Sequence, residues 1–348
     1  MATSFPDVTA AYQIPKVIRL ADNLYGLCFT LMKMIPARHI LRRAEEDGLL
    51  EPETVVVETT SGTFGLALAM HTARTGRRLI LVSDPAVDER LLRRLTDLGA
   101  VVERVSAAAR GGYQSARLRR LAEIRRSLPS TYCPEQYSNP DNPRSYALVA
   151  EVLAETLGQV DCLVGPVGSG GSMCGTTRLL RSVVPECTAI GVDSHHSVLF
   201  GQPDGPRVLR GLGNSLLPPN LDHTVFDSVH WCTAAEAFRA TRELHREHAL
   251  FMGPTSGAAY LVARWYAREH PDALTAVLLP DEGFRYLDTV YDDAWLAGEG
   301  LALESVPDAP VVVDDATVPG TRWSAFAWGR RTRAEVVAGA AEVLEGAR

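Results

Sequence analysis

The stretch Gly165-Pro166-Val167-Gly168-Ser169-Gly170-Gly171-Ser172 decides how this chain folds. It follows the apolar run 162–164, which is typical of a buried strand, and precedes residues 173–184, whose spacing predicts a helix. A strand, a glycine turn and a helix in this order bring several backbone N–H groups to a helix N-terminus, where they can bind a phosphate. A tight turn that binds nothing is the alternative, because short glycine motifs are weak signals alone.

The motif differs from the two common nucleotide-binding patterns. No lysine follows the glycines, as it would in a G-x-x-x-x-G-K-[ST] loop. The motif also does not follow the first strand of the chain, where a dinucleotide fingerprint is expected. The sequence therefore predicts a site for a monophosphate.

Composition excludes several classes of protein. The chain has 348 residues, 46% hydrophobic and 22% charged, which is typical of a globular protein large enough for two domains. Its net charge of -7 argues against binding to nucleic acid or to an anionic membrane surface. No apolar run reaches the length of a membrane span, and the first 22 residues lack the pattern of a signal peptide. We expect no membrane association and a cytoplasmic location.

Cysteine, histidine and lysine are each informative. The six cysteines contain no C-x-x-C pair, so we expect reduced thiols, and the nine histidines form no cluster with metal-ligand spacing, so we expect no metal site. Of the 35 basic residues only two are lysines, Lys16 and Lys33. Any reaction that needs a lysine amine therefore has two candidates.

Strand and helix patterns alternate along most of the chain, which predicts two open parallel-sheet α/β domains. We expect a smaller N-terminal domain at 1–148, a C-terminal domain at 149–295 and an extension at 296–348 that ends in a helix at 332–346. A short extended piece is predicted at 16–20 and a helical pattern at 24–50, with Lys33 close to the start of the helix. Residues 296–319 lose periodicity and are predicted to be extended.

A second strand-to-helix turn, Thr59-Thr60-Ser61-Gly62-Thr63-Phe64-Gly65, follows the first long strand. Its hydroxyls and amides can bind a carboxylate at a helix N-terminus, and an ordinary Ser/Thr cap is the alternative. Two anion sites, one in each α/β half, predict a ligand with one phosphate and one carboxylate held between the domains.

Together these motifs resemble the cysteine synthase and cystathionine β-synthase family of pyridoxal-phosphate (PLP) enzymes, with the tryptophan synthase β-like (type II) fold. The resemblance covers residues 14–292 and extends to several ordered motifs. These are Thr60-Ser61-Gly62, Gln136-Tyr137 with Asn139-Pro140-Asp141-Asn142-Pro143, Gly168 to Ser172, Gly211-Leu212-Gly213, Thr255-Ser256-Gly257-Ala258, and Gly283-Phe284-Arg285-Tyr286-Leu287. The stretch 201–227 is most similar to S-sulfocysteine synthases and to diaminopropionate-pathway members.

The resemblance implies roles for individual residues. Lys33 corresponds by position to the Schiff-base lysine, although Leu31-Met32-Lys33-Met34-Ile35 lacks the flanking Gly-Ser and Asp-Arg of the family motif. Thr255 would face the pyridine nitrogen of the cofactor, and Thr63 replaces a family asparagine near its ring oxygen. The remaining implied contacts are Gly168, Ser169, Gly170, Gly171 and Ser172 with the cofactor phosphate, and Thr60, Ser61, Gly62, Gln136, Gly211 and Arg210 with the substrate.

The implied reaction is β-replacement on an O-activated L-serine, through an aminoacrylate intermediate, by a transferase or lyase of amino-acid biosynthesis. PLP would lie in the cleft between the domains, and the partners would be an amino-acid substrate, a small nucleophile and a second copy in a homodimer. Arg207 and Arg210 are the best placed cations for a phosphate leaving group, so O-phosphoserine is predicted over O-acetylserine; ordinary surface arginines are the alternative. A β-eliminase or serine/threonine deaminase, and a catalytically impaired binding or regulatory protein, remain open, and the sequence does not identify the nucleophile.

Overall fold

The computed structural model describes residues 4–60, 62–85, 87–106, 112–301 and 306–337, without the side chains of residues 112 and 114. Its strands are β1 (Lys16–Ala21), β2 (Leu24–Cys28), β3 (Val55–Thr59), β4 (Leu79–Ser83), β5 (Val101–Arg104), β6 (Thr131–Tyr132), β7 (Cys162–Pro166), β8 (Thr188–Ser194), β9 (Ser228–Cys232), β10 (Thr275–Leu279), β11 (Val311–Val312) and β12 (Ser324–Ala327). Its α-helices are α1 (Val8–Ala11), α2 (Met34–Glu46), α3 (Thr63–Thr75), α4 (Glu89–Asp97), α5 (Gly112–Ser127), α6 (Asp141–Ser145), α7 (Ala147–Leu157), α8 (Gly171–Val183), α9 (Ala234–His248), α10 (Pro254–Glu269) and α11 (Asp293–Gly298).

The first compact unit comprises Met1–Gln13 and Leu31–Ser145. Its four strands are parallel and lie in the order β5-β4-β3-β6. Every residue of β3 is buried, because its three valines fill both faces of a central strand that has a parallel neighbour on each side. Helix α3 begins directly after the turn at the carboxyl end of β3, and this places the second predicted anion turn at that edge of the sheet.

The second compact unit comprises Ile14–Thr30 and Tyr146–Arg348. Its sheet has the strand order β1-β2-β10-β7-β8-β9-β12-β11. Five neighbouring strands of this sheet, β2, β10, β7, β8 and β9, are parallel to one another. Strand β1 is antiparallel to β2, and β12 is antiparallel to β9. The glycine stretch follows β7, whose neighbours are β10 and β8, so the loops after all three strands leave the same edge of the sheet.

These two units confirm the predicted α/β class with parallel sheets. The domain ranges 1–148, 149–295 and 296–348 remain predictions. Strands β1 and β2 belong to the second unit because β2 pairs in parallel with β10 along its whole length.

Two parts of the chain differ from the predicted elements. The helical pattern predicted from residue 24 is wrong over Leu24–Cys28, which forms a strand between β1 and β10. Four of its five residues are buried between β1 and β10. A strand that is buried on both faces has no alternation of apolar and polar residues, so its sequence does not distinguish a strand from a helix. Strand β12 lies between the predicted extended tail, which ends at residue 319, and the predicted terminal helix, where the sequence predicts no element, and β11 lies within that extended tail.

The terminal helix is described over its first turn. Thr332 and Glu335 form reciprocal cap contacts, in which the Thr332 amide donates to Glu335 Oε2 at 2.6 Å and the Glu335 amide donates to Thr332 Oγ1 at 3.4 Å. Residues 333–337 are helical, and the remainder of the predicted helix lies outside the described residues.

Candidate functional site

The glycine stretch forms a turn between β7 and α8 in the second unit. Gly170 is the N-cap residue of α8 and has a φ of 82°, a conformation that favours glycine. A Cβ at this position would lie 2.7 Å from the Cα of Leu221, so the close approach of two backbone segments also requires glycine. Glycine at the N-cap offers no side-chain acceptor to the first-turn amides of α8. The Gly171 amide donates to the Oγ of Ser169, the residue before the N-cap, at 3.4 Å. The turn suits an anion that accepts hydrogen bonds at the same helix N-terminus.

Two other predicted segments surround this turn. The amide of Gly213 donates to the carbonyl of Val167 at 3.0 Å, which joins the Gly211-Leu212-Gly213 segment to the glycine turn. A Cβ at Gly211 would lie 3.3 Å from Thr255 Cγ2, and a Cβ at Gly168 would lie 3.7 Å from the Gly211 carbonyl oxygen. The second unit thus brings Gly168, Gly211 and Thr255 together, although they are far apart in sequence.

Thr255 is held by the start of α10. Gly253 is the N-cap residue, and its amide donates to the carbonyl of Asp281 at 2.9 Å, just beyond the carboxyl end of β10. The Tyr286 hydroxyl donates to Asp281 Oδ2 at 2.7 Å, and burial raises the pKa of this carboxyl to about 6. Thr255 is buried, and the buried Oγ of Ser256 has no hydrogen-bond partner among the described residues. These contacts fix the helix end that carries both hydroxyls.

Lys33 lies in the first unit, directly before α2. Its side chain is half-buried, and desolvation lowers the pKa of its ammonium to about 8. Within the part of the chain that the structure describes, no hydrogen bond or ion pair is assigned to its Nζ. Burial without a counter-ion favours the neutral amine, which is the form that attacks a carbonyl or takes up a proton. Lys16, in contrast, is exposed on β1.

The two segments predicted to bind a carboxylate also lie in the first unit. Thr60 is buried, and its Oγ1 accepts a hydrogen bond from the Gly62 amide at 3.2 Å. Gly62 is the N-cap of α3 and Thr63 is its first residue. Because the N-cap residue is a glycine, it has no side chain that could accept a hydrogen bond from the helix amides. Gln136 is buried in a turn, and the Asn142 side chain donates to its carbonyl. Ser61 lies outside the described residues.

Sequence reasoning missed Glu58, the penultimate residue of β3. It is buried, and its Oε1 accepts from the Thr59 amide at 2.8 Å. Burial raises the pKa of Glu58 to about 7. The backbone amides of Gln136 and Glu135 face the carboxylate and lower the pKa, but their effect is smaller than that of burial. Glu58 therefore contacts the backbone of both predicted carboxylate-binding segments. A glutamate in an otherwise apolar strand was the signal available in the sequence.

The two candidate cations for a leaving group differ in their surroundings. The Arg207 guanidinium donates to the Ser215 hydroxyl at 2.6 Å and to Asp204 Oδ1 at 2.9 Å, and it also contacts the His196 carbonyl. These contacts hold the loop that contains Arg207. Arg210 is exposed, and no hydrogen bond or ion pair is assigned to it among the described residues. Of the two, Arg210 is the cation that can bind a substrate phosphate without breaking an internal contact.

Comparison with known proteins identifies the family. The profile of a family described as "Pyridoxal-phosphate dependent enzyme" matches residues 32–281, which are most of the chain. The chain belongs to this family. The matched range includes Lys33, the glycine turn and Thr255, and its end coincides with Asp281 at the carboxyl side of β10.

Curated relatives narrow the class of enzyme. The N-(2-amino-2-carboxyethyl)-L-glutamate synthase of Cupriavidus metallidurans is 37% identical over 269 residues, which cover 75% of this chain and 79% of the relative. The enzyme of the same name from Ralstonia nicotianae is 34% identical over 310 residues, which cover 85% of this chain and 92% of the relative. Both support the predicted likeness to diaminopropionate-pathway members.

Solved structures share the fold. A hydrogen sulfide-producing enzyme from Fusobacterium nucleatum has a TM-score of 0.77 and 26% identity, covering 82% of this chain and 99% of that structure. An O-acetylserine dependent cystathionine β-synthase from Helicobacter pylori has a TM-score of 0.76 and 25% identity, covering 83% of this chain and 99% of that structure. The predicted type II fold, PLP cofactor and β-substituting enzyme class are confirmed.

The residues present fit the cofactor of the family. The glycine turn places first-turn helix amides after an N-cap residue that has no side chain, α10 presents the buried, unpartnered Ser256 hydroxyl, and Lys33 has a desolvated amine. In the described residues no group of three or more His, Cys, Asp or Glu side chains is arranged to hold a metal ion. No helix in the described ranges is long and apolar enough to cross a membrane.

Proposed function

We propose that this enzyme joins the β-carbon of an O-activated L-serine to the amino nitrogen of L-glutamate, forming N-(2-amino-2-carboxyethyl)-L-glutamate. The observation that carries the proposal is the identity of 37% and 34% with two synthases of that name over most of their length. The product name itself specifies the chemistry, since a 2-amino-2-carboxyethyl group is the carbon skeleton of serine without its hydroxyl. Glutamate is thereby the proposed nucleophile.

Residues of both units have a proposed role toward PLP. The glycine turn from Gly168 to Ser172 would bind the phosphate, and Lys33 would form the Schiff base with the aldehyde. Thr255 would face the pyridine nitrogen, and Thr63 the ring oxygen. When bound, PLP supplies an electron sink for negative charge at the substrate α-carbon. A hydroxyl at position 255, unlike a carboxylate, would leave the pyridine nitrogen unprotonated and so favour loss of a β-substituent over transamination.

The chain's own residues orient the donor and move its proton. We propose that Thr60, Ser61, Gly62 and Gln136 bind the α-carboxylate and so align the Cα–H bond with the Lys33 amine. Lys33 Nζ would take the α-proton of the bound donor and later return it. The pKa of about 8 suits both steps, because a base with a pKa close to the working pH can take up and release a proton.

We propose O-phospho-L-serine as the donor. Its phosphate carries roughly two negative charges at neutral pH and leaves with the electron pair of the C–O bond. Arg210 would bind this phosphate close to Gly211, while Arg207 maintains the loop. The glutamate nitrogen then forms the C–N bond to the β-carbon and loses one proton, so the bond broken and the bond formed balance.

The test combines two donors with three nucleophiles in the purified holoenzyme. We expect more product from O-phospho-L-serine than from O-acetyl-L-serine, as measured by mass spectrometry. Among the nucleophiles, we expect more product with L-glutamate than with sulfide or thiosulfate. Preference for O-acetyl-L-serine and sulfide would contradict the proposal and indicate cysteine synthesis. Pyruvate formed without any nucleophile would indicate a β-eliminase, and failure to bind PLP would indicate an impaired binding protein.

Arg210→Ala tests the donor assignment. We expect kcat/KM for O-phospho-L-serine to fall by about 10- to 100-fold, as is typical for loss of a charge-assisted hydrogen bond, and kcat/KM for O-acetyl-L-serine to change little. Arg246→Ala is the matched control, because Arg246 is also exposed but lies in the last turn of α9. Equal losses for both donors would reject Arg210 as the phosphate-binding residue.

We propose further that the enzyme is a homodimer in the cytoplasm. The family resemblance supports the dimer. The cytoplasmic location is supported by six cysteines that are all free, five of them buried, as expected in a reducing compartment. Light scattering coupled to size exclusion should give twice the chain mass of 37.8 kDa, and a monomer mass would contradict the proposal.

A further inference from the structure

The C-terminal segment, residues 306–337, lies beyond the part of the chain that the family profile matches. It belongs to the same compact unit as the loop between β8 and β9, residues 195–227, which contains Arg210 and the Gly211-Leu212-Gly213 segment. The segment contacts this loop at residue 195, at residues 217–218 and at residues 226–227, where the Gly329 and Arg330 amides donate to the Asp227 and Phe226 carbonyls at 3.0 and 2.9 Å.

The C-terminal segment is anchored in the sheet. Strand β12 pairs antiparallel with β9, and the adjacent Trp323 is buried. The Trp323 amide donates to Glu236 Oε1 at 2.6 Å, and its indole Nε1 donates to His230 Nδ1 at 3.1 Å. Burial lowers the pKa of His230 to about 3, so its ring stays neutral and Nδ1 remains an acceptor. This anchor gives the rest of the segment a fixed position.

The first contact is made by His195, directly after β8. Its Nδ1 accepts a hydrogen bond from the Gly320 amide at 3.0 Å, so the proton of the neutral ring lies on Nε2. Nε2 donates to the Arg322 carbonyl at 2.9 Å. Both ring nitrogens are therefore used to join the start of the loop to the C-terminal segment.

The second contact is made by Arg333, in the first turn of the terminal helix. Its Nη1 donates to the Pro218 carbonyl at 2.9 Å and its Nη2 to the Leu217 carbonyl at 3.2 Å. The cap contacts between Thr332 and Glu335 hold the backbone next to Arg333. A guanidinium bound to two consecutive carbonyls restrains the loop only a few residues after Gly213.

We propose that the C-terminal segment is a clamp whose contacts at His195 and at Leu217 and Pro218, one on either side of Arg210 in the sequence, position Arg210 and Gly211 for the donor substrate. Arg333 and His195 act through the loop and are positioning residues. The effect on donor binding rests on the proposed function, whereas the effect on the order of the loop does not. The clamp supplies a role for a segment outside the matched family region.

Trypsin digestion of the holoenzyme tests the clamp directly, because Arg207 and Arg210 are cleavage sites within the loop. We compare Arg333→Ala with Arg331→Ala, a matched loss of charge. The Arg331 guanidinium lies 4.5 Å from the Phe326 ring centroid and has no contact with the loop among those assigned in the described residues. Arg333→Ala should increase cleavage after Arg207 and Arg210 by about tenfold or more, as expected when two charge-assisted hydrogen bonds are lost. Arg331→Ala should cleave at the wild-type rate.

Kinetic measurement of the same variants separates this proposal from the proposed function. Arg333→Ala should raise KM for the donor more than it lowers kcat, and Arg333→Lys, which keeps one donor group, should recover part of the wild-type value. Equal cleavage in Arg333→Ala and Arg331→Ala, with both proteins folded, would overturn the clamp. If Arg333→Ala does not fold, the milder Arg333→Lys should still show faster cleavage than wild type, and a wild-type rate would overturn the clamp. A wild-type enzyme inactive with O-phospho-L-serine and L-glutamate would overturn only the proposed function.

Discussion

Lys33 and Lys16 are the only lysine amines of the chain, and their surroundings differ. Lys33 is half-buried with a pKa lowered to about 8, whereas Lys16 is exposed on an edge strand. Lys33→Ala should therefore abolish the visible absorption of the lysine-bound cofactor and all turnover, and Lys16→Ala should leave both unchanged. Borohydride reduction followed by peptide mapping locates the attachment directly, and a pyridoxyl group on Lys16 would show that the assignment is wrong.

Glu58 makes a prediction about stability and pH. Its pKa is raised from 4.5 to about 7, so the native state keeps a proton that the unfolded chain releases between these values. The free energy of unfolding should therefore fall as pH rises through this window, by about 3 kcal/mol when the change is complete. Glu58→Gln removes this contribution, so its stability relative to wild type should increase between about pH 5 and 8.

Urea unfolding of both proteins at the two pH values measures this difference. Ser83→Ala is the matched control, because Ser83 is equally buried at the end of the neighbouring strand β4 and does not titrate in this range. A relative stability of Glu58→Gln that is the same at both pH values would show that Glu58 is already ionised throughout.

At the scale of elements, the glycine turn before α8 contains two glycines with different requirements. A Cβ at Gly170 would lie 2.7 Å from Leu221 Cα, at a positive φ, so substitution there should disturb the loop with or without cofactor. A Cβ at Gly168 meets only the Gly211 carbonyl oxygen, at 3.7 Å. Gly168→Ala should therefore fold normally and raise the Kd for PLP several-fold, because the methyl group obstructs close approach of the phosphate.

Equilibrium binding of PLP and thermal unfolding without cofactor separate the two effects. Gly170→Ala serves as the comparison. We expect its apoprotein to unfold at a lower temperature than the wild-type apoprotein. Unchanged PLP affinity in Gly168→Ala would indicate that the phosphate does not approach this residue.

At the scale of the whole molecule, the C-terminal segment completes the larger sheet. Strand β12 covers the edge of β9, and an uncovered edge strand promotes aggregation. A chain that ends at residue 305 should therefore have a lower unfolding temperature and elute partly as aggregates in size exclusion. A chain that ends at Gly329 keeps β12 and should remain soluble, although it lacks Arg333. Equal behaviour of the two truncated chains would mean that β12 does not stabilise the sheet.

Local motifs were enough to predict much of the candidate site. The glycine turn, the Thr60 turn and the position of Lys33 each follow from a few adjacent residues, because a strand, a turn and a helix in order determine which amides are free. The predicted roles of these residues remain predictions. Glu58 was missed because its significance depends on residues 135 and 136, which approach it only in the folded sheet.

The sequence by itself determined the α/β class, the order of most helices and strands, the family and its cofactor. These properties depend on local periodicity and on short motifs whose residues are adjacent in the chain. Only the tertiary structure decided that Leu24–Cys28 is a strand, that Ser324–Ala327 pairs with β9, and that Arg207 is bound within its loop whereas Arg210 is exposed. The physical reason is that each of these outcomes depends on partners distant in sequence, whose hydrogen bonds and burial form only when the chain has folded.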